Sequence, residues 1–150
     1  IMPSGRKTMG VKGITLSSKD DKVVGMLLIK REGTVLVATE NGFGKRTEII
    51  QYRAQKRGGK GVLTMKTTDK IGKMITIKEV VGTDDLMIIR DDGVLIRMPV
   101  SQIRSIGRAT QGVKLIKLAE GTKVSAITRI ISEEEKTADE PENNPEPQDA

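Results

Sequence analysis

A step of 51 residues organises this chain. Arg6, Arg57 and Arg108 stand one step apart, and so do Gly10, Gly61 and Gly112 with the adjoining Val11, Val62 and Val113. In the other half of the unit the same step relates Gly42 to Gly93 and Arg46 to Arg97. Registered columns at one period mark a tandem array, in which each unit is too small to bury its own apolar face and must bury it against a neighbour.

Each unit reads as short strands. TVLVATE (34–40) and GKRTEII (44–50) flank Asn41-Gly42, while DLMIIR (85–90) and VLIRMPV (94–100) flank Asp91-Asp92-Gly93. Asn-Gly and Asp-Gly accept the positive φ of tight hairpin turns. The second half of the unit predicts strands over 61–67 with 73–80 and over 112–118 with 124–131, several of them alternating apolar with polar residues. No stretch carries a capped helical stripe. The expectation is an all-β array of four-stranded, blade-like units, about two and a half of them, with Val, Ile, Leu and Met as core. The phase divides the chain into the second half of a blade (1–33), a blade at 34–83, a last blade at 84–131, and a tail. On that phase the sequence begins in mid-blade at Ile1 and reads as an N-terminally truncated fragment.

Charge divides along the same line. Residues 1–131 hold 25 Lys/Arg against 12 Asp/Glu, a net of +13, and residues 132–150 hold one Lys against 8 Asp/Glu, a net of −7. The tail, with three prolines and almost nothing apolar, is expected to be disordered. A basic body points to a polyanionic partner. There is no His or Cys, hence no imidazole base, thiolate, disulfide or zinc site of the usual kind, and no metal site is expected. Phe43 and Tyr52 are the only aromatics, too few for a platform that stacks unpaired bases. No apolar run approaches the length of a membrane span, about 18 residues or more. The absence of Cys fits a reducing compartment, so the cytoplasm is the expected location.

The most unusual local text is Gln55-Lys56-Arg57-Gly58-Gly59-Lys60-Gly61, preceded by Arg53. Three glycines let a backbone approach a ligand closely and expose its N–H groups, and cations surround them. Phosphate-backbone recognition needs that combination and no base-specific group. It is not a Walker loop, because Gly61 rather than a hydroxyl residue follows Lys60. A lone copy would read as a solvated hairpin. Here Gly5-Arg6-Lys7 and Gly107-Arg108 occupy corresponding loops, Lys45, Arg46 and Arg97 recur in the other half of the unit, and Lys114 follows the last loop. Repetition turns these cations into a curved stripe that suits duplex DNA bent around the protein. The carboxylate pairs Asp20-Asp21, Asp84-Asp85 and Asp91-Asp92 fall in or beside predicted turns with no nucleophile or base nearby, and Tyr52 reads as packing at a blade edge. No catalytic residue is expected.

The stretches Gly5-Arg6-Lys7-Thr8-Met9-Gly10-Val11-Lys12-Gly13-Ile14, Ala38–Thr47 (ATENGFGKRT) and Gly107-Arg108-Ala109-Thr110-Gln111-Gly112-Val113-Lys114 resemble the C-terminal β-pinwheel domain of the DNA gyrase A subunit. The likeness covers about residues 1–131, and members of that family often carry an acidic tail as well. Residues 55–61 are similar to the family's gyrase box, Gln-Arg-Arg-Gly-Gly-Lys-Gly, with Lys56 in place of the first Arg. One departure stands out: the family's box lies in the first blade, whereas here only 51 residues separate Arg57 from Arg108 of the last unit. The segment therefore reads as a box-like copy in a late blade.

The resemblance implies a module that wraps double-stranded DNA and supports ATP-dependent negative supercoiling by a type II topoisomerase. Its implied partners are the remainder of the gyrase A subunit together with the gyrase B subunit, in an A2B2 holoenzyme associated with the nucleoid. ATP and Mg²⁺ would belong to the rest of that holoenzyme, with no cofactor in this part. The nearest rival is the corresponding C-terminal domain of topoisomerase IV; a rival of another class is a propeller-like protein-interaction scaffold.

Overall fold

The computed structural model describes residues 3–131, so the acidic segment 132–150 and its expected disorder lie outside the described residues. Seven strands form: β1 (Thr34–Thr39), β2 (Phe43–Glu48), β3 (Met74–Val80), β4 (Asp85–Arg90), β5 (Leu95–Pro99), β6 (Val113–Lys114) and β7 (Val124–Ile130). Two single 3₁₀ turns follow β2 and β5, and among the described residues there is no α-helix. Among the described residues, accordingly, no helix is long and apolar enough to cross a membrane. Both hairpins form where the turn text lies, with Gly42 at φ 78° and Gly93 at φ 84° supplying the left-handed residue each turn requires.

The strands make two antiparallel sheets, ordered β3-β1-β2-β6 and β5-β4-β7. The repeat is visible in the pairing: β1 with β3 runs Thr34↔Val80 to Thr39↔Met74, and β4 with β7 repeats it as Asp85↔Ile130 to Arg90↔Val124, each with an irregularity one residue before its end. The fourth strand of the first sheet departs from expectation. It comes from the next unit, with Phe43↔Lys114 and Gly44↔Val113 joining β2 to β6. A sheet therefore crosses the boundary between repeats.

The segments 10–16, 22–29 and 61–67 carry no strand, contrary to the sequence expectation. A strand needs a ladder partner, and apolar alternation does not supply one. Residues 9–29 expose Met9, Val23, Met26 and Leu28.

One core lies between the sheets, built on Leu36 and Ala38 of β1, Val80 of β3, Leu86 and Ile88 of β4, and Val124 and Ile127 of β7, with Val100, Ile103 and Ile116 from the connections. A second cluster covers the other face of β1, where Val35 and Val37 meet Met65 and Ile71. That double cover explains why all six residues of β1 are buried, whereas β7 buries only Val124 and Ile127. At the β3 edge, residues 26–31, β3 and the end of β7 surround a cleft of about 970 Å³. The β2–β6 edge lies on the far side of that sheet, and the 107–110 turn sits against it.

Candidate nucleic-acid interface

Arg6, Arg57 and Arg108 each open the same tight turn, at 6–7, 57–58 and 108–109. In the first copy Thr8 closes it on Gly5, its N–H at 3.2 Å and its Oγ1 at 2.8 Å from the carbonyl. In the third, Thr110 Oγ1 donates to Gly107 O at 2.9 Å. The 55–61 loop has Gly59 at that position and is braced instead from the preceding unit. Gly58 N–H donates to Gly13 O at 2.9 Å, Thr15 N–H donates to Gly59 O at 2.9 Å, and Thr15 Oγ1 donates to Gly58 O. One step later Lys66 N–H donates to Thr110 O at 3.0 Å. Sequence reasoning misses Thr15; the register is the signal that finds it, because 15 and 66 are one step apart and so are Gly59 and Thr110.

Arg53, Gln55, Lys56, Arg57 and Lys60 are all exposed, and the four cations among them form no ion pair with the described residues. Arg6 and Lys7 are exposed too. Arg108 is half-buried: its guanidinium donates to Leu63 O at 3.0 Å and lies 5.9 Å from the centre of the Tyr52 ring. Tyr52 OH is 2.5 Å from Thr64 Oγ1, so this ring supports the last loop from the middle unit. Lys114 is exposed, its Nζ 5.8 Å from the centre of the Phe43 ring.

The other half of the unit contributes differently. Arg46 is half-buried, with Nε donating to Ile103 O at 2.7 Å, and its backbone bridges Arg104 and Ile106. Arg97 projects from the edge and pairs with Asp85, Nε to Oδ2 at 2.7 Å, its side chain 62% exposed. Lys45 requires a correction. Expected as a DNA-contacting cation, it is 0% exposed, because β2 places it under the loop of the next unit. Its Nζ donates to Gly107 O at 2.6 Å, to Arg108 O, and to Thr110 Oγ1 at 3.1 Å. Burial, with the Arg108 charge nearby, lowers the Lys45 ammonium to about 8 from its ordinary 10.5.

The carboxylate pairs serve turns and joints. Asp21 accepts from Ser17 and Ser18 N–H, Asp91 from Lys123 N–H, and Asp92 from Val94 N–H. Asp84, fully buried, takes Arg31 at 2.5 Å and Val81 N–H at 3.0 Å, tying the first segment to the boundary between the two sheets. Among the described residues no three His, Cys, Asp or Glu gather as metal ligands. The 55–61 loop is not a Walker-type nucleotide-binding loop, since Gly61 and not a hydroxyl residue follows Lys60.

Antiparallel sheets joined by a strand borrowed from the following repeat, with like turns at the same place in each repeat, define a propeller-type repeat protein. The family model described as "DNA gyrase C-terminal domain, beta-propeller" matches residues 3–30, 33–80 and 84–130, and the chain belongs to that family. The DNA gyrase A subunit of Staphylococcus epidermidis is 44% identical over 137 residues, 90% of this chain and 15% of that protein. The DNA gyrase A subunit of Staphylococcus aureus is 42% identical over 146 residues, 96% of this chain and 16% of that protein. The chain thus spans about a sixth of the curated relatives it matches. Among solved structures, a DNA gyrase A C-terminal domain superposes with a TM-score of 0.78 at 23% identity, covering 87% of this chain and 44% of that one. The C-terminal domain of DNA topoisomerase IV superposes with a TM-score of 0.71 at 20% identity, covering 80% and 38%. Those two likenesses speak to the fold alone.

Proposed function

We propose that this chain binds double-stranded DNA through its phosphates and wraps it, as part of the C-terminal domain of a DNA gyrase A subunit. The observation that carries this reading is the same turn repeated at Arg6, Arg57 and Arg108, one 51-residue step apart. Arg53, Lys56, Arg57, Lys60, Arg6 and Lys7 make the direct phosphate contacts, with Lys114, Arg108, Arg46 and Arg97 contributing from partly engaged positions. The glycines of Gln55–Gly61 keep that loop's backbone close to the DNA. Segments 1–33, 34–83 and 84–131 act as successive steps of the wrap. Bending about 20–30 bp costs on the order of 1–6 kcal/mol, which several phosphate contacts offset.

In the holoenzyme the module presents wrapped DNA to a cleavage core formed by the rest of its own polypeptide, while the B subunit hydrolyses ATP, so that strand passage is biased toward negative supercoils. The wrapping module itself is non-catalytic. The working location is the cytoplasm, on the nucleoid. The two curated relatives described above are gyrase A subunits, which favours this reading over topoisomerase IV.

The test is binding of duplex DNA across a salt series, with ligation of nicked plasmid in the presence of the protein. Affinity should fall with salt at a slope of about −0.9 per phosphate contact, regardless of sequence. Charge reversal at Arg57 and Lys60 should weaken binding more than reversal at Lys19 and Lys70. Salt-independent binding refutes the phosphate account, and an unchanged linking number refutes chiral wrapping.

A further inference from the structure

A lysine with no exposed surface is an unusual occupant of a β-strand. Lys45 leaves β2 of one unit and ends inside the turn of the next. There it faces the carbonyls of Gly107, Arg108 and Thr110 and the hydroxyl of Thr110, the third carbonyl at 3.5 Å. An ammonium has three protons and no acceptor, so it satisfies a ring of oxygens as no apolar or amide side chain of that length can. The ring closes on itself, because Thr110 Oγ1 also donates to Gly107 O. With the carbonyls turned inward onto Lys45, Arg108 sits against Tyr52, its guanidinium on Leu63 O. At the matching position of the next unit stands Ile96, so the device occurs once among the described units.

We propose that Lys45 is a positioning residue: it does not touch DNA but holds the Gly107–Thr110 turn in the form that presents Arg108 to a phosphate. The second half of this statement rests on the DNA-binding reading above; the first half stands on the buried contacts alone.

The experiment uses the full chain with Lys45→Met, Arg108→Ala, and the two combined. Affinity for a duplex of about 30 bp is measured over a salt series, and amide hydrogen exchange is followed at 107–110. Lys45→Met should weaken binding about threefold to tenfold and remove about 0.9 from the salt slope, the loss of one contact. The double variant should bind no more weakly than Arg108→Ala, because both changes remove the same contact. Exchange at 107–110 should accelerate in Lys45→Met and stay slow in Arg108→Ala. Additive losses, with a further 0.9 taken from the slope, would make Lys45 a phosphate ligand and overturn the proposal. Unchanged exchange in Lys45→Met overturns it as well. If Lys45→Met does not fold, Thr110→Val removes the hydroxyl from the ring and must speed exchange at 107–109, or the ring is not what holds the turn. Should the unaltered chain ignore duplex DNA, the binding reading falls, and exchange alone decides whether Lys45 holds the turn.

Discussion

The cationic turns at 57–58 and 108–109 occupy the same place in the repeat and are supported unequally. Both lean on the preceding unit, through Thr15 N–H in one case and Lys66 N–H in the other. Only the later turn has a lysine beneath it, an aromatic ring beside it and a strand, β6, continuing directly into the neighbouring sheet. The turn at 6–7 has its own Thr8 closure. Equal sequence columns therefore do not mean equal support: the turns at 57–58 and 108–109 are each braced by the unit before, the second by a lysine and a ring as well.

The glycine column gives the sharpest way to break this comparison. Gly10, Gly61 and Gly112 all have φ between 72° and 79°, so alanine strains each backbone by a similar amount. At Gly112 an added Cβ would also lie 2.7 Å from Gly44 O and 2.8 Å from Met65 Cε; at Gly61 its nearest neighbour would be Ile14 Cδ1 at 3.9 Å, and at Gly10 it meets nothing within 4 Å. Gly112→Ala should cost about 3 kcal/mol or more, adding a backbone clash to the strain, and Gly61→Ala and Gly10→Ala about 1 kcal/mol each. Urea unfolding of the three variants measures it. Equal costs at 61 and 112 would mean the cross-unit approach at Gly44 is loose.

Binding should reverse the order. The less buttressed loop carries the exposed cations, so Arg57→Glu with Lys60→Glu should weaken duplex binding about tenfold, roughly 1.4 kcal/mol, and flatten the salt slope by about two contacts. Arg108→Ala should weaken binding less, since it removes a single half-buried cation. Anisotropy titrations at several salt concentrations rank them. A larger loss at Arg108 would shift the dominant contact to the last unit.

The same contrast explains what is legible in the sequence. The 51-residue step locates the hairpins, and Asn41-Gly42 and Asp92-Gly93 fix their turns, because left-handed turn residues are a local property. The exposure of Arg57 and Lys60 is legible for a similar reason: a glycine-rich loop has nothing to bury a cation in. Which strand β2 accepts as its outer neighbour is not, since alternation records a buried face and not the partner that pairs with it. Segment 61–67 alternates as well as β3 does, yet it forms no ladder. Lys45 escapes sequence reasoning because its burial is created by carbonyls some 60 residues away, and carbonyls have no sequence signature.

Smaller, and confined to one residue, is a pH effect. Folded Lys45 gives up its proton near pH 8, and in the unfolded chain near its ordinary 10.5. Between these values the unfolded chain holds a proton that the folded chain lacks, so Lys45's contribution to stability becomes more favourable as pH rises through that window. Urea midpoints across it should show the rise in the unaltered chain and its loss in Lys45→Met. An identical profile in both would mean that the carbonyl ring compensates the buried charge fully.

The smallest effect should come from Arg97, which shares a repeat column with Arg46. Arg46 donates to a carbonyl beneath the last loop, while Arg97 meets Asp85 on an exposed edge. Surface pairs contribute little, about 0–1 kcal/mol, because water screens them and two long side chains lose freedom. Arg97→Ala should therefore leave the urea midpoint nearly unchanged, while Arg46→Ala costs about 1 kcal/mol through the lost hydrogen bond to a partly buried carbonyl. On DNA the change at Arg97 should be under about threefold, because Asp85 already neutralises the charge that a phosphate would attract. A larger loss of affinity with stability intact would show that the Asp85 pair opens on binding and that both halves of the repeat, not only its turns, face the duplex.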